Sequence, residues 1–292
     1  MKKLAILMTI LTMIPITAWT QQEVSRLLDT TPDGTVEVQN LAGSVTIIGW
    51  ERNQVEIQAT LGEGVEELEI DPSEGAIEIS VKPLPDVKMF GDTHLTIHVP
   101  LSSTLEVETV AADIDIKEVT GELELASVSG DITVGGSPES VEAECVSGDI
   151  ILKGVRDGIE AASVSGNIIL QGVRNDVEAE NVSGKIHVIG DNLGSGEFEV
   201  VSGNLLFEGT LHPEGSLECE CFSGTVEIRL PASISADFDI ETFSGTIVND
   251  FGVEATSKDS MVSGQELQFS TGSGDADISV ETFSGTIRLI KI

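Results

Sequence analysis

Glutamates recur in this chain as pairs two residues apart: Glu142 and Glu144, Glu178 and Glu180, Glu197 and Glu199, Glu218 and Glu220. Each pair stands six and four residues before a glycine, at Gly148, Gly184, Gly203 and Gly224. Carboxylates repeated at a fixed interval can gather divalent cations or a basic protein or peptide, and these eight residues are the candidate partner or cation face. Paired carboxylates also serve as acid and base in glycoside hydrolases, but among 50 Asp and Glu residues no single dyad stands out. The rest of the catalytic vocabulary is thin. There is no Gly-x-Ser-x-Gly elbow, no His-Glu-x-x-His, no Cys-x-x-Cys and no Gly-x-x-x-x-Gly-Lys. His94, His98, His187 and His212 are dispersed, and Gly272-Ser273-Gly274-Asp275 lacks the nine-residue period of a calcium-binding repeat. Arg156 and Arg174 recur in register beside Asp157 and Asp176, which reads as corner solvation. The chain has no Tyr, and Trp50 is the one Trp beyond residue 20, so platforms for sugar rings are missing. No enzyme, metal site or cofactor is expected.

The glutamates sit in strands. In the repeat ending at Gly148, Val141, Ala143 and Cys145 alternate with Glu142 and Glu144, the two-residue period of a half-buried strand with acid outside. After the glycine the second and fourth positions are aliphatic, as in Ile132 and Val134, Ile150 and Leu152, Ile168 and Leu170, Ile186 and Val188. The two strands meet at a Val/Phe-Ser-Gly triplet, found at Val128, Val146, Val164, Val182, Val201, Phe222, Phe243 and Phe283, mostly 18 to 21 residues apart. Gly136, Gly154, Gly172, Gly190 and Gly209 close the other corner. Units this short cannot bury their own apolar face, so copies must stack with like strands in parallel. The expected fold is all-β: one elongated β-solenoid of parallel stacked coils, about 18 to 21 residues per coil. Stacking would align Glu106, Glu124, Glu142, Glu160, Glu178, Glu197 and Glu218 in one row. Glu108, Glu144, Glu180, Glu199, Glu220 and Glu241 would form a second, broken by Ala126 and Ala162. Neighbours about 4.8 Å apart should raise one another's pKa.

Residues 1–20 read as a secretory signal, with Lys2 and Lys3 before an apolar run from Leu4 to Ile16 and small residues at Ala18 and Thr20. Cleavage would leave 13 basic and 50 acidic residues, 13 − 50 = −37, which repels nucleic acid and anionic membranes. The exported protein would then not span the membrane. Cys145, Cys219 and Cys221 are placed too poorly for pairing and are expected as buried thiols.

Several segments resemble the bacterial DUF4097 β-strand-repeat family, often labelled a candidate adhesin. They are Gly43-Ser44-Val45-Thr46-Ile47-Ile48-Gly49-Trp50, Leu95-Thr96-Ile97-His98-Val99-Pro100, the serial Ser-Gly copies and the closing Glu281-Thr282-Phe283-Ser284-Gly285-Thr286-Ile287. The resemblance covers roughly residues 34 to 292. It implies a right-handed β-solenoid-like fold in cell-envelope proteins with no established catalytic residues, and some relatives are associated with envelope stress and cationic antimicrobial peptides. The helical or membrane segments that accompany the domain in some relatives are missing here.

The expected organisation is a signal peptide over 1–20, a linker over 21–33 with a helix-like turn from Glu23 to Leu28, a cap of longer hairpin-like strands over 34–100, and the repeat solenoid over 101–292. Residues 249 to 264 are expected as a loop or irregular coil. The expected function is a non-catalytic interaction scaffold with an acidic outer face. The alternatives are an envelope-stress component that binds cationic peptides or divalent cations, and, less well supported, a polysaccharide-acting β-helix enzyme.

Overall fold

Alternation in the sequence becomes alternation in burial: along Glu122–Ser127 every second side chain is buried and the glutamates between them are exposed. The computed structural model describes residues 22–73, 75–87, 89–257 and 264–292, and every regular element among them is a strand. The N-terminal part contributes β1 (Gln22–Asp29), β2 (Thr35–Trp50), β3 (Gln54–Leu61), β4 (Val65–Ser73), β5 (Ala76–Pro83) and β6 (Thr93–Pro100). The repeats then supply β7 (Thr104–Lys117), β8 (Glu122–Ser127), β9 (Ile132–Gly135), β10 (Ser140–Cys145), β11 (Ile150–Lys153), β12 (Ile159–Ser163) and the long run β13 (Asn167–Leu230). The chain ends with β14 (Ala236–Asn249), β15 (Thr256–Ser257), β16 (Gln265–Thr271) and β17 (Ala276–Lys291). The anticipated signal over 1–20 lies outside the described residues.

Through the middle of the chain, parallel neighbours differ by one repeat. Leu105 pairs with Leu123, Leu123 with Val141, Val141 with Ile159 and Ile159 with Val177, 18 residues at each step. The second strands keep the same step, from Ile114 through Ile132 and Ile150 to Ile168. Equivalent residues therefore stack in columns, and the inward columns form one continuous core that includes Ile150, Leu152, Phe198 and Phe207. Burying each such aliphatic side chain contributes about 1.5–3 kcal/mol before the entropy of ordering is subtracted.

Three columns hold the corner together. The repeat glycines lie directly over one another: a Cβ on Gly148 would meet the Gly130 carbonyl oxygen at 2.2 Å, and one on Gly166 would meet that of Gly148 at 1.9 Å. Three residues earlier, a buried side chain donates across the layers, as from Asn181 Nδ2 to the Gly166 carbonyl at 2.8 Å and from Asn40 Nδ2 to that of Thr93 at 3.0 Å. One residue later, the carboxylates of Asp113, Asp131 and Asp149 accept the backbone N–H of the residue stacked on each.

The ends of the stack depart from chain order. β2 lies between β7 on one side and β5 with β6 on the other, all parallel, so β5 and β6 serve as two halves of one layer. The parallel stack thus reaches into the region expected as a cap, and only β3 and β1 over β6, and β4 over β5, are antiparallel. The expected linker with its helix-like turn is instead the edge strand β1, because all eight of its residues lie in antiparallel register with β3, and alternate residues exchange backbone hydrogen bonds with it. At the other end β17 inserts between β13 and β14. Gly245 and Gly285 therefore sit in adjacent layers, and between them β16 pairs in antiparallel fashion with β14 and with β15, while residues 258–263 of the loop expected over 249–264 lie outside the described residues. Phe238 and Phe269 stack there at 4.4 Å, with Phe251 beside them, closing the core against water.

Candidate functional site

The first strand of every repeat turns three positions outward, six, four and two residues before the corner glycine, and stacking converts each into a row. The outermost row runs Glu37, Glu106, Glu124, Glu142, Glu160 and Glu178 through direct register pairs. It continues to Glu197, whose charge acts on Glu178, while Glu218 faces Ser279. The second row runs from Glu108 past Ala126, Glu144 and Ala162 to Glu180, then through Glu199 to Glu220. Glu281 follows Glu220, and Glu241 lies beyond it. The expected direct step from Glu220 to Glu241 is thus corrected, because β17 enters the stack between them.

All eight glutamates singled out by spacing therefore lie on one outer face. Partial loss of water, and then the neighbouring carboxylates, hold Glu106, Glu142, Glu178 and Glu199 above the ordinary carboxylate range. None of the eight glutamates singled out by spacing enters an ion pair among the described residues. Nor do three His, Cys, Asp or Glu side chains converge as a metal cage among those residues. The face offers charge along a line.

The third outward position is apolar, and sequence reading gave it no role. Val110, Val128, Val146, Val164, Val182, Val201, Phe222, Phe283 and Phe243 follow one another across the layers, each between 46 and 58% exposed. The rings of Phe222 and Phe283 stack at 4.8 Å, and those of Phe283 and Phe243 at 5.0 Å. Between this ridge and the second glutamate row lies an open groove of about 700 Å³, reaching from Leu41 to Val182. A smaller one of about 330 Å³ follows on the same line, lined by Glu199, Glu220, Glu281, Phe222 and Phe283. The signal was available in the repeat: if the positions six and four before the glycine face water, the position two before it does too.

The other flagged residues serve the framework. Cys145, Cys219 and Cys221 are buried free thiols, and burial pushes the Cys219 thiol far up. His98 packs on Trp50, ring centroids 5.1 Å apart, and His94 Nδ1 meets the Ser44 hydroxyl at 2.9 Å. Arg174 pairs with Asp191. No helix among the described residues is long and apolar enough to cross a membrane.

Solved structures of similar shape include a candidate adhesin from Parabacteroides distasonis ATCC 8503, 9% identical over 92% of this chain and 98% of that one, with a TM-score of 0.43. A candidate adhesin from Parabacteroides merdae ATCC 43184 is 10% identical over 92% and 97%, with a TM-score of 0.40. A candidate lipid binding protein from Parabacteroides distasonis ATCC 8503 is 14% identical over 92% and 97%, with a TM-score of 0.38. Similarity at this level leaves the function to be argued from this chain's own residues. No curated protein matches the chain. The Toastrack DUF4097 family model matches residues 13–199, more than half of the chain, and the protein belongs to that family.

Proposed function

We propose that this protein is an exported, non-catalytic scaffold of the bacterial cell envelope, periplasmic or surface-exposed, which binds a basic partner along its acidic outer face. The architecture behind this reading is a right-handed β-solenoid with coils of about 18 to 21 residues, preceded by a signal peptide over residues 1–20. One observation carries it: two carboxylate rows lie side by side on one face, next to an exposed apolar ridge. The raised pKa of four of these glutamates supports it, since a face that destabilises its own charge gains from an incoming cation. Glu142, Glu144, Glu178, Glu180, Glu197, Glu199, Glu218 and Glu220 are the residues assigned to contact.

Divalent cations are the second reading, favoured by the same rows, with a cationic peptide as the first. Titration calorimetry with a lysine-rich peptide and with calcium separates them. Changing Glu142, Glu144, Glu178 and Glu180 to Gln together should remove the peptide's heat of binding. An unchanged heat would end the assignment, and a heat with calcium alone would favour the second reading.

A further inference from the structure

The apolar ridge and the interrupted glutamate row share a period, and that period restricts what can lie along them. Layers repeat about every 4.8 Å, so the nine side chains from Val110 to Phe243 form a comb about 38 Å long. An exposed apolar line of this length marks an interaction surface. An extended chain laid along the stack repeats its side chains on one face about every 6.7 Å and loses step with the comb almost at once. An α-helix advances about 5.4 Å per turn, a mismatch of about 0.6 Å, and drifts half a spacing only after about four turns. The five valines from Val110 to Val182 span four layer steps, about 19 Å, which matches about 13 helical residues.

The carboxylates beside these valines show a second match. Ala126 and Ala162 separate Glu108, Glu144 and Glu180, which therefore stand two layers apart, about 9.6 Å. Residues i and i+7 of a helix are about 10.5 Å apart. The two alanines also clear bulk and charge from the groove where a partner's apolar side chains would enter. A second copy of this chain is a poor occupant, because its net charge of −35 would meet its own sign.

We propose that the groove from Val110 to Val182 docks a basic amphipathic α-helix of about four turns, lying along the stacking direction. Its apolar seam rests on the valines, and its Lys or Arg residues at i, i+7 and i+14 face Glu108, Glu144 and Glu180. This rests on the reading above that the partner is basic, and adds its conformation and register.

The probe is a synthetic 15-residue peptide that begins at heptad position g, with leucines at positions a and d and a lysine at each of the three g positions, and a scrambled peptide of equal composition as control. Binding to the full exported chain is followed by calorimetry, and peptide helicity by circular dichroism. The variant V128T/V146T/V164T keeps β-branched side chains, so folding is preserved and is checked by its melting curve. It should bind about tenfold more weakly or worse, as should E108Q/E144Q/E180Q, and the ordered peptide should gain helix on binding. If the valine variant binds like the parent while the glutamine variant fails, the helix seam is wrong and the basic-partner reading stands. Unchanged binding by the glutamine variant overturns both. Equal binding of the scrambled peptide overturns the helix, and so does phosphatidylcholine vesicle binding that depends on the valines in the absence of any peptide effect.

Discussion

Gly148 shows why the Ser-Gly pair recurs. The natural reading of glycine at a corner is conformational freedom, and at Gly154 and Gly172, with φ of 77° and 69°, it holds. Gly148 and Gly166 do not need a positive φ; they need the absence of a Cβ, because the carbonyl of the glycine below occupies that space. Gly148→Ala should therefore destabilise the protein by about 2–3 kcal/mol in denaturant unfolding. Gly135→Ala, where a Cβ would have nothing within 4 Å, should stay within about 0.5 kcal/mol. Equal effects at both positions would refute the close-approach account. The position of each glycine was legible in the period, but its reason was not, since steric conflict arises only when two layers are brought together.

At the scale of the strand, the outward rows set an electrostatic cost that pH can relieve. In the folded protein Glu106, Glu142, Glu178 and Glu199 sit above the ordinary value of 4.5, so the native state retains protons that the unfolded chain has released. Their contribution is therefore a destabilisation, absent below about pH 4.5 and complete once pH passes the folded values. The thermal midpoint should fall as pH rises from about 4.5 toward neutrality, and the double change E142Q/E178Q should raise the neutral-pH midpoint and flatten the slope. A midpoint that climbs over the same interval in the parent, with no gain in the variant, would contradict this. Added salt should act like acid, because exposed like charges are screened within about 8 Å at physiological ionic strength. The glutamate rows could be read from alternation alone. The valine and phenylalanine ridge obeys the same parity, yet apolar residues in a repeat are easily assigned to the core, and only their roughly half exposure places them outside.

Across the whole molecule, layer order and chain order part at both ends. Because β17 lies between β13 and β14, removing residues 276–292 should do more than trim the last layer. It deprives β14 of its parallel partner, so residues 236–249 and 265–271 should become open to limited proteolysis and hydrogen exchange while residues 104–209 stay protected. Deleting one 18-residue repeat from the middle, residues 149–166, should by contrast leave a folded protein with a modestly lower melting temperature, since register passes unchanged from layer to layer. Continued protection of residues 236–249 and 265–271 after the truncation would overturn the insertion of β17. By itself the sequence determined the strands of the repeats, their inward and outward faces, the parallel stacking of the repeats and the acidic columns as far as Glu220, because each follows from a two-residue alternation nested in a period of about 18 residues. The insertion of β2 and β17 out of chain order, the strand character of Glu23 to Leu28, the close approach of the glycines and the groove beside the valines were decided by the tertiary structure. All of these depend on which separate segments become neighbours, and repeats that look alike along a chain do not specify which copy lies against which.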